Sequence, residues 1–337
     1  MMLALKISIS LIPVFLFLLI LILMDSYKLL KPFLITITIL SGVAAAAVAL
    51  VFQRNIGGPG PALTLLWGPL SEELLKALFP LILLFSKRVA FIVDSAIVGF
   101  ASGAGFALLE NLLYLLTVQD TNPLLWIVRG LGTAVMHGGT VAILMIVTAY
   151  LSERFKSRSP LTFLPGFLSA VAIHVLFNKI ITSQQLPSEF VTAAQLILLP
   201  LLIGIAFRQS ERSLRSWMEE GLESSVRLLN AIRKGSFAET KAGRYIYALR
   251  AHLPVEVVVD IFCYLQVYLD LTARAKARLM LREQDFPVPA DPDVADRFRE
   301  LKDLARNIGK TGQRAMAPVL QASPRDLWQL YYLESDN

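Results

Sequence analysis

Cysteine is nearly absent from the 337-residue chain. Cys263 stands alone, which excludes an intrachain disulfide framework and a thiolate metal cluster. Histidine is scarce too, occurring only at His137, His174 and His252. Charge is thin: Asp, Glu, Lys and Arg make up 17% of the residues, where soluble proteins carry about 25%. With 55% hydrophobic residues and a mean hydropathy of +0.60, an ordinary cytosolic enzyme is excluded. Internal repeats, low-complexity tracts and a Gly-rich nucleotide loop are also missing.

What charge there is sits unevenly. Residues 1–207 hold 12 Lys/Arg and 8 Asp/Glu, while residues 208–337 hold 20 and 18. The chain therefore reads as two domains, a membrane domain over 1–207 and a cytosolic domain over 208–337. The net charge of +6 points to loops at an anionic bilayer surface and away from nucleic acid.

A membrane helix needs about 20 mainly apolar residues. Seven stretches qualify, near 4–24, 33–53, 62–85, 90–118, 124–151, 161–182 and 190–207. The first has a long apolar core and no small-residue cleavage site after it, so it is expected to be a retained helix. Basic residues cluster after stretches 1, 3, 5 and 7, at Lys28 and Lys31, Lys87 and Arg88, Arg154, Lys156 and Arg158, and Arg208, Arg212 and Arg215. The opposite loops carry Arg54, Asp120 and Glu189. That bias predicts a multi-pass protein of the cell membrane with its N-terminus outside and its C-terminus cytoplasmic. In the tail, Leu214–Ile232, Val255–Leu281 and Val294–Asn307 have helical spacing, with a break at Phe286–Pro292. The expected fold is all-α: a polytopic bundle of about seven transmembrane helices followed by a helical cytosolic domain.

Ionisable groups inside lipid cost about 2.5–3.5 kcal/mol each even on lenient scales. They persist where they pair, line a wet cavity or act. Here Glu72, Glu73 and Lys76 fall in the third stretch, Asp94 and Glu110 in the fourth, Arg129 and His137 in the fifth, and His174 and Lys179 in the sixth. At a rise of about 1.5 Å per residue, Glu72 and Glu73 lie roughly 15–17 Å below the outer face, Glu110 and His174 roughly 12 Å, and His137 roughly 20 Å. Four helices thus bring acids or imidazoles to similar depth, the pattern of a shared polar pocket. Glu72 and Lys76 share a helix face at i,i+4, while Glu73 points about 100° away. Pro69 and Pro80 flank the acids, and Gly99, Gly103 and Gly105 allow close helix approach.

Four motifs in order then become recognisable: Glu72-Glu73-Leu-Leu-Lys76, Phe106-Ala-Leu-Leu-Glu110-Asn111, His137 with Thr140, and His174-Val-Leu-Phe-Asn178. Together they resemble the PrsW family of intramembrane proteases, relatives of the CAAX prenyl endopeptidases. The resemblance covers roughly residues 60–182. The chain departs from the pattern at Gly138, where the family usually has a bulkier residue. The CAAX branch differs at the first motif and carries His where this chain has Glu110. The zinc HExxH and aspartyl GxGD motifs are absent, and Ser102-Gly103 misses the serine-type GxSG because residue 100 is Phe.

The resemblance implies an endopeptidase that cuts a membrane-anchored protein within the bilayer, an anti-sigma factor being the family's described target. It makes Glu72, Glu73, Glu110, His137, His174 and Asn178 the candidate catalytic residues, supported by Lys76, Phe106, Asn111 and Thr140. Two carboxylates side by side in low dielectric cannot both ionise cheaply. One would take a proton from water and return it to the leaving amine, with Lys76 paired to Glu72. His174 and Asn178 would donate to the oxyanion, His137 would orient the water, and Glu110 with Asn111 would hold the histidines. This metal-free route, with no cofactor, is the preferred expectation. The alternative is a zinc-type shell of Glu73, Glu110, His137 and His174. An ion-coupled transporter is the rival from another class. Asp94 is expected to pair at the interface with Lys87 or Arg88, Arg129 to snorkel or pair with Asp120, and Cys263 to be buried. A cytosolic partner for residues 208–337 is the remaining expectation.

The charge bias yields a test. An epitope at the C-terminus is expected to resist protease added outside intact cells, and one at the N-terminus to be removed. The reverse pattern would overturn the orientation.

Overall fold

The computed structural model describes the chain except at residues 1, 26–29, 57–62, 87, 90, 119–121, 156–158, 184–186, 285, 289–290, 321–323 and 336–337. Lys28, Lys87, Asp120, Lys156 and Arg158, on which the orientation and two expected ion pairs rest, lie outside the described residues, as does most of the turn 55–61. The elements are all helical: α1 (Met2–Leu23), α2 (Pro32–Ile56), α3 (Gly68–Phe85), α4 (Ile92–Thr117), α5 (Pro123–Ile127), α6 (Ala134–Arg154), α7 (Phe163–Ser183), α8 (Ser188–Arg233), α9 (Lys241–Ala248), α10 (Val255–Glu283), α11 (Val294–Leu320) and α12 (Pro324–Ser335). Two compact units result, Met1–Ser210 and Glu211–Asn337.

Among the described residues, six helical spans are long and apolar enough to cross a membrane. The chain is a polytopic helical membrane protein. Seven spans were expected, and the difference is α3. It forms where the third span was placed, but Glu72, Glu73 and Lys76 put three charges into its 18 residues. Its apolar character is spent on one side, so its polar residues need protein around them.

That protein is chiefly α4, which is hydrophobic on all sides and 89% buried along its apolar window. Its neighbours come very close. A Cβ added at Gly103 would stand 2.1 Å from the His137 carbonyl oxygen of α6, and one at Gly105 would stand 1.9 Å from the Ile39 carbonyl oxygen of α2. Two residues apart on a helix point to nearly opposite sides, so α4 is clasped by α2 and α6 together. Gly103 thereby sets how near the His137 backbone can come. By contrast α1, α2, α7 and α8 leave much of their apolar surface uncovered, including Leu16, Leu40, Leu176 and Leu198, the surface lipid would cover.

α5 and α6 form one span interrupted by a π turn at Val128–Thr133. Such bulges insert a residue into the helix and are frequent at functional sites. Asp94 does not form the expected ion pair with Arg88 among the described residues; it is buried in the first turn of α4, within electrostatic reach of the buried Asp25.

The second unit is built on α10. Ile261 and Leu265 face one apolar cluster with Phe237, Ile246 and Ile308; Leu271 and Ala275 face another with Val294, Phe298 and Leu333. Gly309, at φ 65°, breaks α11 into two helical pieces, a left-handed conformation natural to glycine. Cys263 is half-buried, not enclosed as expected. Lys276 is buried with its ammonium over the Trp217 ring and 3.8 Å from Asp326. Burial pushes its pKa below the usual lysine range, against the pull of Asp326.

The close α4–α6 approach predicts a contrast between two glycines. Gly103→Ala is expected to destabilise the detergent-solubilised protein by roughly 1–3 kcal/mol through backbone overpacking. Gly204→Ala, with nothing within 4 Å of the new methyl, is expected to be neutral or stabilising by about 0.5–1 kcal/mol. Denaturant unfolding of both variants checks this; equal midpoints would refute the clasp.

Candidate active site

The polar groups of α3 sort by one residue's rotation. Glu73 turns into the bundle and is wholly buried, as is Lys76. Glu72, about 100° round the helix, keeps 17% of its side chain exposed and accepts a hydrogen bond from Gln53 Nε2 of α2 at 2.8 Å. Lys76 therefore pairs with Glu73, Nζ to Oε1 at 2.6 Å, not with Glu72 as the i,i+4 spacing suggested. The i,i+3 position also shares a face, and only Glu73 lies on the dry side.

Glu73 Oε1 is the hub. It contacts Lys76 Nζ at 2.6 Å, His174 Nδ1 of α7 at 2.7 Å and the Thr140 hydroxyl of α6 at 3.1 Å. A buried carboxylate persists only when paired and hydrogen-bonded, and three donors from three helices achieve that. Its second oxygen is buried with no partner.

These contacts assign the imidazole tautomers. An ammonium has donors only. Lys76 Nζ, 3.0 Å from His137 Nδ1, therefore donates to that nitrogen. The proton of His137 then sits on Nε2, facing Glu110 Oε2 at 2.7 Å. At His174 the carboxylate Glu73 accepts from Nδ1–H, and Nε2 lies 3.8 Å from Glu72 Oε2. The two rings stand edge to face with centroids 5.0 Å apart, and Phe106 covers His137 and the Lys76 ammonium, at 5.1 and 4.8 Å.

A second ring of contacts was not visible in the sequence. Arg129, in the π turn, reaches Glu110 Oε1 at 3.1 Å and Asn111 Oδ1 at 3.0 Å; Asp120 lies outside the described residues. Asn111 in turn donates to the Ser10 carbonyl of α1. Ser102 donates to the Lys76 carbonyl at 2.7 Å, tying α4 to α3. Ser102, Gln53 and Arg129 lie far from the acids in sequence and belong to none of the four motifs. An arginine one turn inside a span was the only cue among them.

The structure thus brings together Glu72, Glu73, Lys76, Phe106, Glu110, Asn111, His137, Thr140 and His174. Asn178 sits one turn beyond His174 and is half-buried. Within this cluster Glu72, His137 and His174 each offer a ligand atom, all within 4.8 Å of one another. That is a nitrogen–oxygen trio of the catalytic zinc kind, three protein ligands and an open position. It differs from the expected Glu73–Glu110–His137–His174 shell: Glu73 Oε1 is engaged by three donors inside the bundle and Glu110 is held by Arg129. The Nε2 of His174, with Glu73 at its other nitrogen, fits a metal ligand and its carboxylate support. His137 would join only by giving up its Glu110 contact and passing the Nε2 proton to Nδ1, which requires Lys76 to release that nitrogen.

Breaking the central pair is expected to be costly. Lys76→Met leaves Glu73 uncompensated and should lower stability by about 3–5 kcal/mol. Adding Glu73→Gln should recover a large part of that loss. A double-mutant cycle by denaturant unfolding measures the coupling, and additive effects would contradict it.

A family model described as PrsW family intramembrane metalloprotease matches residues 29–205. That range includes every residue of the cluster except the Ser10 carbonyl. No curated protein and no solved structure matches the chain. The match covers more than half of the chain and favours hydrolysis over ion-coupled transport. The chain belongs to the PrsW family and is an intramembrane protease.

Proposed function

We propose that this protein is a metal-dependent endopeptidase whose ion is held by Glu72, His137 and His174 and whose substrate is a membrane-anchored protein. The observation that carries this reading is the trio of ligand atoms within 4.8 Å, backed by Glu73 holding the other ring nitrogen of His174 at 2.7 Å. When bound, a zinc-like ion would supply the acidity that makes water a nucleophile at neutral pH and would polarise the scissile carbonyl.

The chain's own residues do the rest. Glu73 fixes the tautomer and direction of His174, and Lys76 holds Glu73 charged and in place. Glu110 is the acid with proton-transfer freedom: its side chain is 37% exposed, and Arg129 holds it beside the site after His137 turns to the ion. It takes the proton from the attacking water and returns it to the leaving amine. Asn178, a turn beyond His174, donates to the developing oxyanion. An anti-sigma factor is a substrate of the right kind, a protein anchored in the same bilayer. The sites face the outer half of the membrane if the Lys/Arg bias sets the orientation.

The metal assignment has a readout independent of turnover. Titration of the purified, chelator-treated protein with cobalt or zinc is expected to show one tight site. Glu72→Ala and His174→Ala should abolish it, and Glu73→Gln should weaken it about 10–100-fold. Cleavage of a labelled single-span protein in liposomes should stop with chelator and return with zinc. No stoichiometric binding, with cleavage that survives chelation but not Glu72→Gln, would replace this reading with the metal-free glutamate route.

A further inference from the structure

A cleft of about 570 Å³ runs beside the ion cluster. α6 forms its floor, with Gly139, Thr140 and Ile143; α7 supplies one wall and α8 the other. The walls are almost wholly apolar and open outward: Leu176 of α7 is 57% exposed and Leu198 of α8 is 56% exposed. In a bilayer this cleft faces the acyl chains.

Its floor is not inert. Thr140, which lines the cleft, places its hydroxyl 3.1 Å from Glu73 Oε1. The α7 wall is built from the residues flanking His174, so the same helix turn that presents the imidazole inward presents Ile173 and Leu176 to the cleft. On the α8 side Gln195 donates from Nε2 to the Gly132 carbonyl of the π turn at 2.9 Å, which leaves its side-chain carbonyl as an acceptor. One turn of helix thus separates a lipid-facing surface from the reactive groups.

We infer that the α6–α7–α8 cleft is the lateral entrance of the active site and docks the apolar membrane segment of the substrate. This rests on the proteolytic reading above and adds where the substrate enters. The volume suits one face of a helix, whose full diameter is about 10–12 Å, lying along the cleft with its side chains between the walls. The occupant is a peptide and not an acyl chain because the α8 wall presents the Gln195 side-chain carbonyl, an acceptor that a backbone N–H can use. A segment that opens its helix for cleavage exposes N–H groups that need such partners in lipid. An acyl chain has no donor to offer. The small residue Ala194 lets the incoming backbone approach closely on the α8 side.

Photo-crosslinking tests this without requiring turnover. A benzophenone amino acid is placed at Leu198, or at Leu40 of α2 as a lipid-facing control. The full-length protein is reconstituted with a lysine-flanked, leucine-rich single-span peptide carrying a fluorophore. Crosslinking to the peptide is expected to be at least fivefold higher from 198 than from 40, and Ala194→Trp should reduce it at least fivefold with cobalt binding unchanged. Preferential crosslinking at 198 upholds the entrance even if the peptide is not cut, which would count only against the proteolytic reading. Equal yields at both positions, crosslinks from 198 to phospholipid alone, or unchanged crosslinking in Ala194→Trp overturn the entrance, whether or not cleavage occurs.

Discussion

The buried ion pair between Glu73 and Lys76 is the constraint on which the rest of the site depends. A carboxylate with no exposure would be prohibitively costly alone. Its neutralisation recruits an ammonium from its own helix, a hydroxyl from α6 and an imidazole from α7. Each partner is then committed to one orientation. Lys76 fixes the proton of His137 on the nitrogen facing Glu110, and Glu73 fixes the proton of His174 on the nitrogen facing itself. The consequence is that His174 Nε2 faces the partly accessible Glu72, 3.8 Å away.

Such an arrangement requires helices that approach more closely than large side chains permit. α4 provides this through Gly103 against the His137 carbonyl and Gly105 against that of Ile39. The hydroxyl of Ser102 closes the remaining side by binding the Lys76 carbonyl. The site is thus held by backbone contacts on the rigid centre of the bundle, while its outer acids, Glu72 and Glu110, retain solvent access. That division suits hydrolysis, which needs fixed ligands together with an acid able to exchange protons. The π turn extends the same logic, placing Arg129 where it stabilises the more exposed acid without filling the pocket.

The second unit follows other rules. Its cores are ordinary amphipathic helix packing around α10, and its exposed faces carry local ion pairs such as Arg297–Glu300 and Arg306–Asp303. Pairs of this kind contribute little to stability. Nothing in them resembles the buried network of the membrane unit.

By itself the sequence determined the all-helical membrane character, because runs of about 20 apolar residues have few other fates. It also determined which residues were too polar to face lipid, and so marked Glu72, Glu73, Glu110, His137 and His174. Helical spacing could not decide which glutamate Lys76 would choose, since i,i+3 and i,i+4 both share a face; burial on the α4 side selected Glu73. Nor could it find Gln53, Ser102 or the Arg129–Glu110 pair, which join residues 18 or more apart through helix packing and a π turn. The three-ligand trio was likewise a product of tertiary structure. Spacing along a chain sets angle and rise on one helix, whereas the distance between helices is set by the small residues that let them touch.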